Sequence, residues 1–229
     1  MRKFFSTEYA KLKGMTFTEI RQYIWEYYKL HFLAIGIGAF IVGGLINIWF
    51  INPPKQEYLY IPWEAEAVPP ESLVWLSEEL SAIVPNQERY RVLVRSYVLG
   101  HDQRTNQSIV ASFRARLSVG DIHAVITTRD VIQENSNIGL LRHMGEVIAI
   151  IQETNPSFYE EISERLLTIT YTVSEGHDIT DIMAISLKNA PLLTRLGFET
   201  DDLYLGIIAN SWHFDRIARA LAVIFEEGI

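Results

Sequence analysis

Hydrophobic residues are densest over residues 32–51, where the chain carries no charge. Twelve of these twenty residues are Leu, Ile, Val or Phe, and no Asp, Glu, Lys or Arg lies between Lys29 and Lys55. A helix of about 20 apolar residues crosses a hydrocarbon core of roughly 30 Å. The pattern predicts a transmembrane helix over residues 32–52. The alternative is a long buried helix of a water-soluble domain.

A shorter periodic segment precedes this run. Thr16 and Glu19 have the spacing of a capping box, and apolar residues follow at helical intervals. Three aromatic residues of a type that settles at the membrane interface lie on this segment: Trp25, Tyr27 and Tyr28. Within a cytoplasmic segment of residues 1–31, we expect either an amphipathic helix at the interface or a continuation of the spanning helix.

Small residues recur four apart within the predicted span. Ala34 is followed by Gly38, and Ala39 by Gly43. This spacing lets the backbone of another helix approach closely, so Gly38, Ala39 and Gly43 are candidate positions for packing against a partner helix. The alternative is a span without a helical partner, in which glycine is also frequent.

Strand and helix patterns alternate after Pro53 and Pro54, which cannot continue a helix. Short apolar or alternating runs predict strands, and 3.6-residue spacing predicts helices. The predicted strands are residues 57–68, 89–99, 121–126, 167–173, 179–187 and 203–209. The predicted helices are residues 71–84, 105–119, 158–166, 192–196 and 213–226. The alternation predicts an α/β fold built from βαβ units, in one domain over residues 53–229.

Charge is distributed unevenly around the predicted span. Residues 1–31 hold six basic and three acidic residues, a net charge of +3, whereas residues 56–229 hold thirteen and twenty-five, a net charge of −12. Basic residues beside a span mark its cytoplasmic side, so we expect the N terminus inside the cell and the acidic domain outside. An acidic domain also argues against a nucleic-acid partner, because binding to phosphates needs a basic surface.

The chain contains no cysteine. Disulfides, thiolate metal sites, thiol catalysis and a lipid-modified cysteine are therefore excluded, and the composition favours a bacterial protein. We expect an uncleaved signal anchor in the cell membrane, because the apolar run is longer than the core of a signal peptide and no small-residue cleavage site follows it.

The sequence contains no motif for a reaction or a cofactor. A Gly-rich phosphate loop, G-x-S-x-G and H-E-x-x-H are all missing from it. The pairs His101–Asp102 and His177–Asp178 come nearest to a metal site, but such residues are usually solvated turn positions. We therefore expect no metal, no cofactor and no enzymatic activity.

Three segments carry a resemblance to known proteins. Residues 113–126 (FRARLSVGDIHAVI) and 203–227 (LYLGIIANSWHFDRIARALAVIFEE) resemble bacterial extracellular solute-binding proteins, which usually have an acidic residue where this chain has His123. Residues 182–198, with the run SLKNAPLLTRLGF, are similar to membrane-anchored proteins of low-GC Gram-positive bacteria, which carry a reduced solute-binding-like domain behind an anchor of the type YIWEYYKLHFLAI. The resemblance implies one α/β domain that corresponds to part of a solute-binding protein.

Five residues are candidates for ligand binding. Ligands approach the carboxyl ends of strands in an open α/β sheet, and Thr127 and Thr128 follow one predicted strand while Asn210 and Ser211 follow another. Asp121 lies in the Gly-Asp turn that the resemblance associates with the ligand cleft. The alternative role of Asn210 and Ser211 is to cap the final helix.

These features predict a non-enzymatic, membrane-anchored accessory subunit. Its outer domain would bind a membrane-protein partner, such as the permease of an ABC-type transporter or exporter. The alternative is a tethered receptor for a small solute or a peptide, with a pocket near Thr127 and Asn210. The lipid bilayer is an expected partner in both hypotheses.

Overall fold

The structure, a computed structural model, describes residues 14–97, 103–172 and 177–226, without the side chains of residues 103–106. The predicted turn at His101–Asp102 lies outside the described residues. The chain divides into two compact units, Met1–Pro54 and Lys55–Ile229.

The described part of the first unit is dominated by a single apolar helix. Helix α1 spans Phe17–Ile46 and continues as a π-helical turn, Asn47–Ile51. The Thr16 N–H donates to Glu19 Oε2 at 2.7 Å, so the predicted capping interaction is present. No residue of Phe17–Ile51 is buried, and the mean hydropathy of its most apolar part is 2.1. This helix is long and apolar enough to cross a membrane.

The two predicted segments of the first unit form one continuous helix. Its 35 residues have a length of about 52 Å at 1.5 Å per residue, which exceeds the thickness of a hydrocarbon core. The alternative in which the aromatic segment continues the spanning helix therefore matches the structure.

The described residues of the second unit form a mixed sheet of seven strands with helices between them. Its elements in chain order are β1 Gln56–Trp63, α2 Pro70–Leu80, a 3-10 turn Ser81–Ile83, β2 Tyr90–Ser96, α3 Gln103–Val119, β3 Ala124–Thr127, α4 Arg129–Asn137, β4 Leu141–Arg142, α5 Gly145–Thr154, α6 Pro156–Ser163, β5 Leu166–Thr172, β6 Asp178–Ser186, α7 Pro191–Arg195, β7 Tyr204–Ile208 and α8 Phe214–Ile224.

The strand order is β2-β1-β3-β7-β6-β5, with β4 also paired to β7. Strand β1 is parallel to both β2 and β3, whereas every other pair is antiparallel. The crossovers from β1 to β2 and from β2 to β3 run in opposite directions, and α2 and α3 pack into different core clusters. Strands β1 and β3 therefore form a topological switch point.

The α/β class is confirmed, but βαβ units account for only β1, β2 and β3. Strands β5 and β6 form an antiparallel hairpin, and β7 lies antiparallel between β3 and β6. Periodicity marks a strand without giving its direction, so the sequence did not distinguish these arrangements.

The central strands are buried on both faces. In β1, Leu59, Ile61 and Trp63 belong to the larger core cluster, with α2, α5, α6, α7 and α8, whereas Tyr60 belongs to the smaller cluster with α3 and α4. Helices thus cover both faces of the sheet, and its ends are where solvent reaches the strands.

Two serine side chains accept hydrogen bonds from the free edge of β2. Ser77 Oγ accepts from the Val94 N–H at 2.9 Å, and Ser81 Oγ accepts from the Val92 N–H at 3.1 Å. An exposed strand edge is a template for pairing with another chain. These hydroxyl groups occupy two of the donors that such pairing would need.

Candidate functional site

A polar cleft lies at the amino-terminal ends of β1 and β3. Its volume is about 460 Å³, and we call it the histidine cleft. It is lined by Lys55, Gln56, Glu57, Arg116, Gly120, Asp121, His123, His213 and Arg216. These residues come from the start of β1, the end of α3, the chain leading into β3 and the first turn of α8.

His123 forms the floor of the cleft and is only 5% exposed. Its Nδ1 accepts from the Tyr60 backbone N–H at 3.0 Å, and its own N–H donates to the Tyr60 carbonyl oxygen at 3.1 Å. Since Nδ1 is an acceptor, Nε2 carries the proton of the neutral ring. Among the described residues Nε2 has no hydrogen-bond partner, so this N–H remains available to a ligand.

His213 packs against His123, with the ring centroids 4.9 Å apart. Burial, the neighbouring His213 and the Arg216 guanidinium lower the pKa of His123 to about 4. Burial and Arg216 also lower the pKa of the half-buried His213. The His123 ring is therefore neutral at physiological pH and acts as a fixed hydrogen-bond donor rather than as a cation.

Two arginine side chains, Arg116 and Arg216, line the cleft and are fixed by contacts with β1. Arg116 binds the Glu57 carboxylate through two contacts of 2.5 and 3.2 Å, and its guanidinium lies 4.4 Å from the centre of the Tyr60 ring. The pairing with Glu57 raises the pKa of Arg116. Arg216 donates to the Tyr58 carbonyl oxygen at 2.7 Å and stacks on the Tyr58 ring at 4.2 Å.

The cleft has an excess of positive charge within an acidic domain. Glu57 neutralises Arg116, which leaves Lys55 and Arg216 against the single carboxylate of Asp121. Lys55 is exposed and, in the described part of the chain, has no ion-pair partner. The N–H groups at the start of α8 add to the positive potential. This arrangement can bind an anion by hydrogen bonds and charge.

The described residues offer no metal centre. They contain no group of three or more His, Cys, Asp or Glu side chains placed to hold a metal ion. In the predicted pair His177–Asp178, His177 is exposed and Asp178 Oδ1 accepts from Thr172 Oγ1 at 2.7 Å.

The structure separates the predicted ligand-binding residues into two groups. Asp121 lines the histidine cleft, and Asn210 lies beside it, where its Nδ2 donates to the Leu117 carbonyl oxygen at 2.7 Å. Ser211 is buried next to Asn210, and its Oγ has no hydrogen-bond partner in the described chain. Neither Asn210 nor Ser211 caps α8, whose N-cap residue is His213.

Thr127 and Thr128 lie at the opposite end of the sheet. Strand β3 is antiparallel to β7, with Thr127 paired to Tyr204 and Ala124 to Ile207, so the carboxyl ends of these strands point in opposite directions. The three residue steps from Ala124 to Thr127 alone amount to about 10 Å. The expected pocket shared by Thr127 and Asn210 is therefore not formed.

Thr128 instead lines a second, smaller cavity of about 140 Å³, which we call the acidic pocket. Its lining residues are Trp63, Ala65, Glu66, Val68, Thr128, Glu199, Asp201, Asp202 and Leu203. It lies at the carboxyl ends of β1 and β3, the position at which ligands bind in many α/β sheets. Thr127 is fully buried there, and its Oγ1 lacks a partner among the described atoms.

The predicted membrane residues lie along α1. Trp25 and Tyr27 are exposed, Tyr28 is partly exposed, and the Tyr28 and His31 rings are 5.6 Å apart. Ala39 is exposed, and a Cβ added at Gly38 or Gly43 would meet no described atom within 4 Å beyond its sequence neighbours and the adjacent helix backbone. Within the described part of the first unit, no side chain covers this small-residue surface.

Sequence reasoning did not pair His123 with His213. The signal that existed was a polar residue inside an otherwise apolar run, Ile122 to Ile126, because a buried polar side chain requires a hydrogen-bond partner. In the sequence, His123 stands out only as a departure from the solute-binding pattern, and its separation of 90 positions from His213 gives no indication of their contact.

No protein-family model matches the chain, and neither a curated protein nor a solved structure shows a significant match to it. The resemblance to membrane-anchored solute-binding-like proteins stays a prediction.

Proposed function

We propose that this chain is a single-pass membrane protein whose globular unit acts, without catalysis, as an accessory subunit of a membrane-protein complex. The observation that carries the proposal is the 35-residue apolar helix with no buried residue, followed directly by a unit that has its own core. A helix with this composition is stable in lipid, where its apolar side chains are solvated by acyl chains.

A partner inside the membrane would account for the open small-residue surface of α1. Interhelical contact in lipid depends on close packing, for which Ala39 and Gly43 leave room. Following the resemblance described above, we propose an ABC-type permease as the partner.

The partner can be tested with two neighbouring glycines. Gly43→Leu adds a large side chain on the Ala39–Gly43 surface, whereas Gly44→Leu adds the same side chain about 100° away around the helix. At both positions an added Cβ meets no described atom within 4 Å beyond its sequence neighbours and the adjacent helix backbone. We expect the full chain, extracted in mild detergent, to migrate with a membrane-protein partner that Gly43→Leu removes and Gly44→Leu retains. A monomer at native abundance, or equal behaviour of the two variants, would contradict the proposal.

The proposed topology places the N terminus in the cytoplasm, in agreement with the basic N-terminal segment. Because the chain has no cysteine, single substitutions give a labelling experiment without background. In intact cells, a membrane-impermeant maleimide should label Glu88→Cys in the globular unit and should not label Arg21→Cys. The reverse pattern would show the opposite topology.

The second candidate function is a tethered receptor for a small anionic solute or an acidic peptide. The histidine cleft favours it, since about 460 Å³ is a volume typical of small-ligand sites. A thermal-shift screen of the full chain with soluble anions tests this function, and a melting temperature unchanged by all of them would remove it.

A further inference from the structure

We propose that the histidine cleft binds the phosphate group of an anionic phospholipid and thereby docks the globular unit on the bilayer. This inference rests on the membrane tether in the proposed function, but not on the existence of a protein partner.

The first argument is the set of donors. The Nε2–H of His123 is fixed in position, because both the Nδ1 atom and the backbone N–H of this residue are bonded to Tyr60. Arg216 is held by the Tyr58 carbonyl oxygen and the Tyr58 ring. Donors that are already oriented lose little conformational entropy on binding a phosphate oxygen. A neutral donor beside guanidinium and ammonium groups suits a singly charged phosphodiester.

The second argument is the local charge. Residues 56–229 carry a net charge of −12, which disfavours contact of the globular unit with an anionic surface. In the cleft, by contrast, the charges of Lys55 and Arg216 exceed that of the Asp121 carboxylate. Basic residues near an anionic membrane surface are attracted to it individually, so a small cluster is enough to orient a protein that is already tethered.

The third argument is the presence of exposed apolar side chains beside the cleft. Trp212 precedes His213 and is 74% exposed, and Val119 precedes Gly120 and is 68% exposed. Their two segments are joined by the hydrogen bond from Asn210 to Leu117. Tryptophan is enriched at the level of lipid headgroups. These side chains suit the interface next to a bound headgroup.

The segment that contains Trp212 is in contact with one arginine, Arg142. Arg142 donates to the Ser211 carbonyl oxygen at 3.3 Å, binds Glu146 at 2.6 Å and lies 5.2 Å from the centre of the Trp212 ring. The exposure of Trp212 is therefore supported by specific contacts rather than left to an unconstrained loop.

The fourth argument is the length of the connecting chain. Lys55, which lines the cleft, is separated from the end of the apolar helix at Ile51 by Asn52, Pro53 and Pro54 only. Four residue steps reach at most about 14 Å. In any arrangement of the two units, Lys55 stays within that distance of the helix end, so lipid headgroups are the anions available at high local concentration.

The test uses the full chain in nanodiscs of phosphatidylcholine, with or without added phosphatidylglycerol, and measures amide hydrogen exchange. Phosphatidylglycerol is expected to slow exchange severalfold in residues 117–123 and 209–217 and to leave the β5–β6 hairpin unchanged. Equal exchange in the two lipid compositions would overturn the proposal.

Matched variants separate headgroup binding from general attraction. Lys55→Gln and Trp212→Ser should each reduce the protection caused by phosphatidylglycerol. The controls Lys188→Gln and Trp75→Ser, which change exposed residues away from the cleft, should preserve it. Loss of protection in all four variants, or in none, would contradict a site at the histidine cleft.

Soluble anions distinguish the source of the phosphate. Inorganic phosphate and glycerol 1-phosphate are added to the phosphatidylcholine nanodiscs in place of the anionic lipid. Protection by these anions without protection by phosphatidylglycerol would overturn the lipid assignment in favour of a soluble ligand. The partner experiment with Gly43→Leu is done in detergent, so its outcome is independent of this one.

Discussion

The cavities at the two ends of strand β3 differ in volume and in charge. At the carboxyl end, the acidic pocket has a volume of about 140 Å³ and is bordered by Trp63, whose ring packs 4.7 Å from that of Phe198. At the amino end, the histidine cleft has a volume of about 460 Å³ and an excess of positive charge. At a topological switch point, ligands are expected at the carboxyl ends of the strands. In this protein, large side chains and carboxylates occupy that position.

The titrating groups at the two ends also behave in opposite ways. Burial raises the pKa of Glu64 at the end of β1, whereas burial, His213 and Arg216 lower the pKa of His123. In both cases the protein environment favours the neutral form. Of these two side chains, only His123 accepts a backbone hydrogen bond within the described residues, so the amino end is the better organised of the two.

The largest effect is expected from removing the hydrogen-bond acceptor at the amino end. His123→Ala leaves the buried Tyr60 N–H without its partner and opens a cavity, which together should cost about 4 kcal/mol of unfolding free energy. Urea unfolding of the full chain in detergent measures this loss, and amide exchange at Tyr60 should become faster.

His123→Asn is the control for that experiment. Its Oδ1 lies where Nδ1 of the histidine was and accepts from the same N–H, so most of the lost stability should return. If alanine and asparagine destabilise the protein equally, the hydrogen bond to the Tyr60 N–H does not contribute the expected stability.

Protonation of His123 at acid pH should lower the free energy of unfolding by about 3 kcal/mol. The pKa of His123 is about 4 in the folded protein against 6.5 for the ordinary group, so the unfolded chain binds the proton more readily. The stabilisation is complete above pH 6.5, decreases as the pH falls and is lost below about pH 4. His123→Asn should flatten this part of a plot of stability against pH. A wild-type slope retained in the variant would assign the proton uptake to other groups.

The sequence predicted most elements of the second unit because each has a local signal. Apolar spacing marked α2, α3 and α8, and apolar runs marked β1, β3 and β7, with boundaries a few residues from those of the structure. Strand β4 lacked such a signal because it has only two residues. Strand direction was not predictable, because an apolar run such as that of β7 occurs in both parallel and antiparallel pairs.

The candidate site could not be predicted from local sequence patterns, because it depends on strand direction and on contacts between distant residues. Thr127 and Asn210 each follow a strand, but only the antiparallel pairing of β3 with β7 shows that they lie at opposite ends. In contrast, the contact of His123 with His213 joins the residue before β3 to the N-cap of α8, which no spacing rule connects. Asp121 is a candidate through the solute-binding resemblance alone, and it lines the histidine cleft because its turn leads into β3.

The smallest effect is expected at the carboxyl end, and it has the opposite sign. Thr127→Val replaces a fully buried hydroxyl group that has no partner among the described atoms with a methyl group of similar size. Removing an unpaired buried polar group should stabilise the fold by about 1 kcal/mol, which urea unfolding can measure. Thr168→Val, on an exposed position of β5, is the control and should change stability by less than about 0.5 kcal/mol. A clear loss of stability in Thr127→Val would mean that the hydroxyl has a bound partner, such as a water molecule or a ligand. If that partner were a ligand, the carboxyl end of β3 would hold a second binding site.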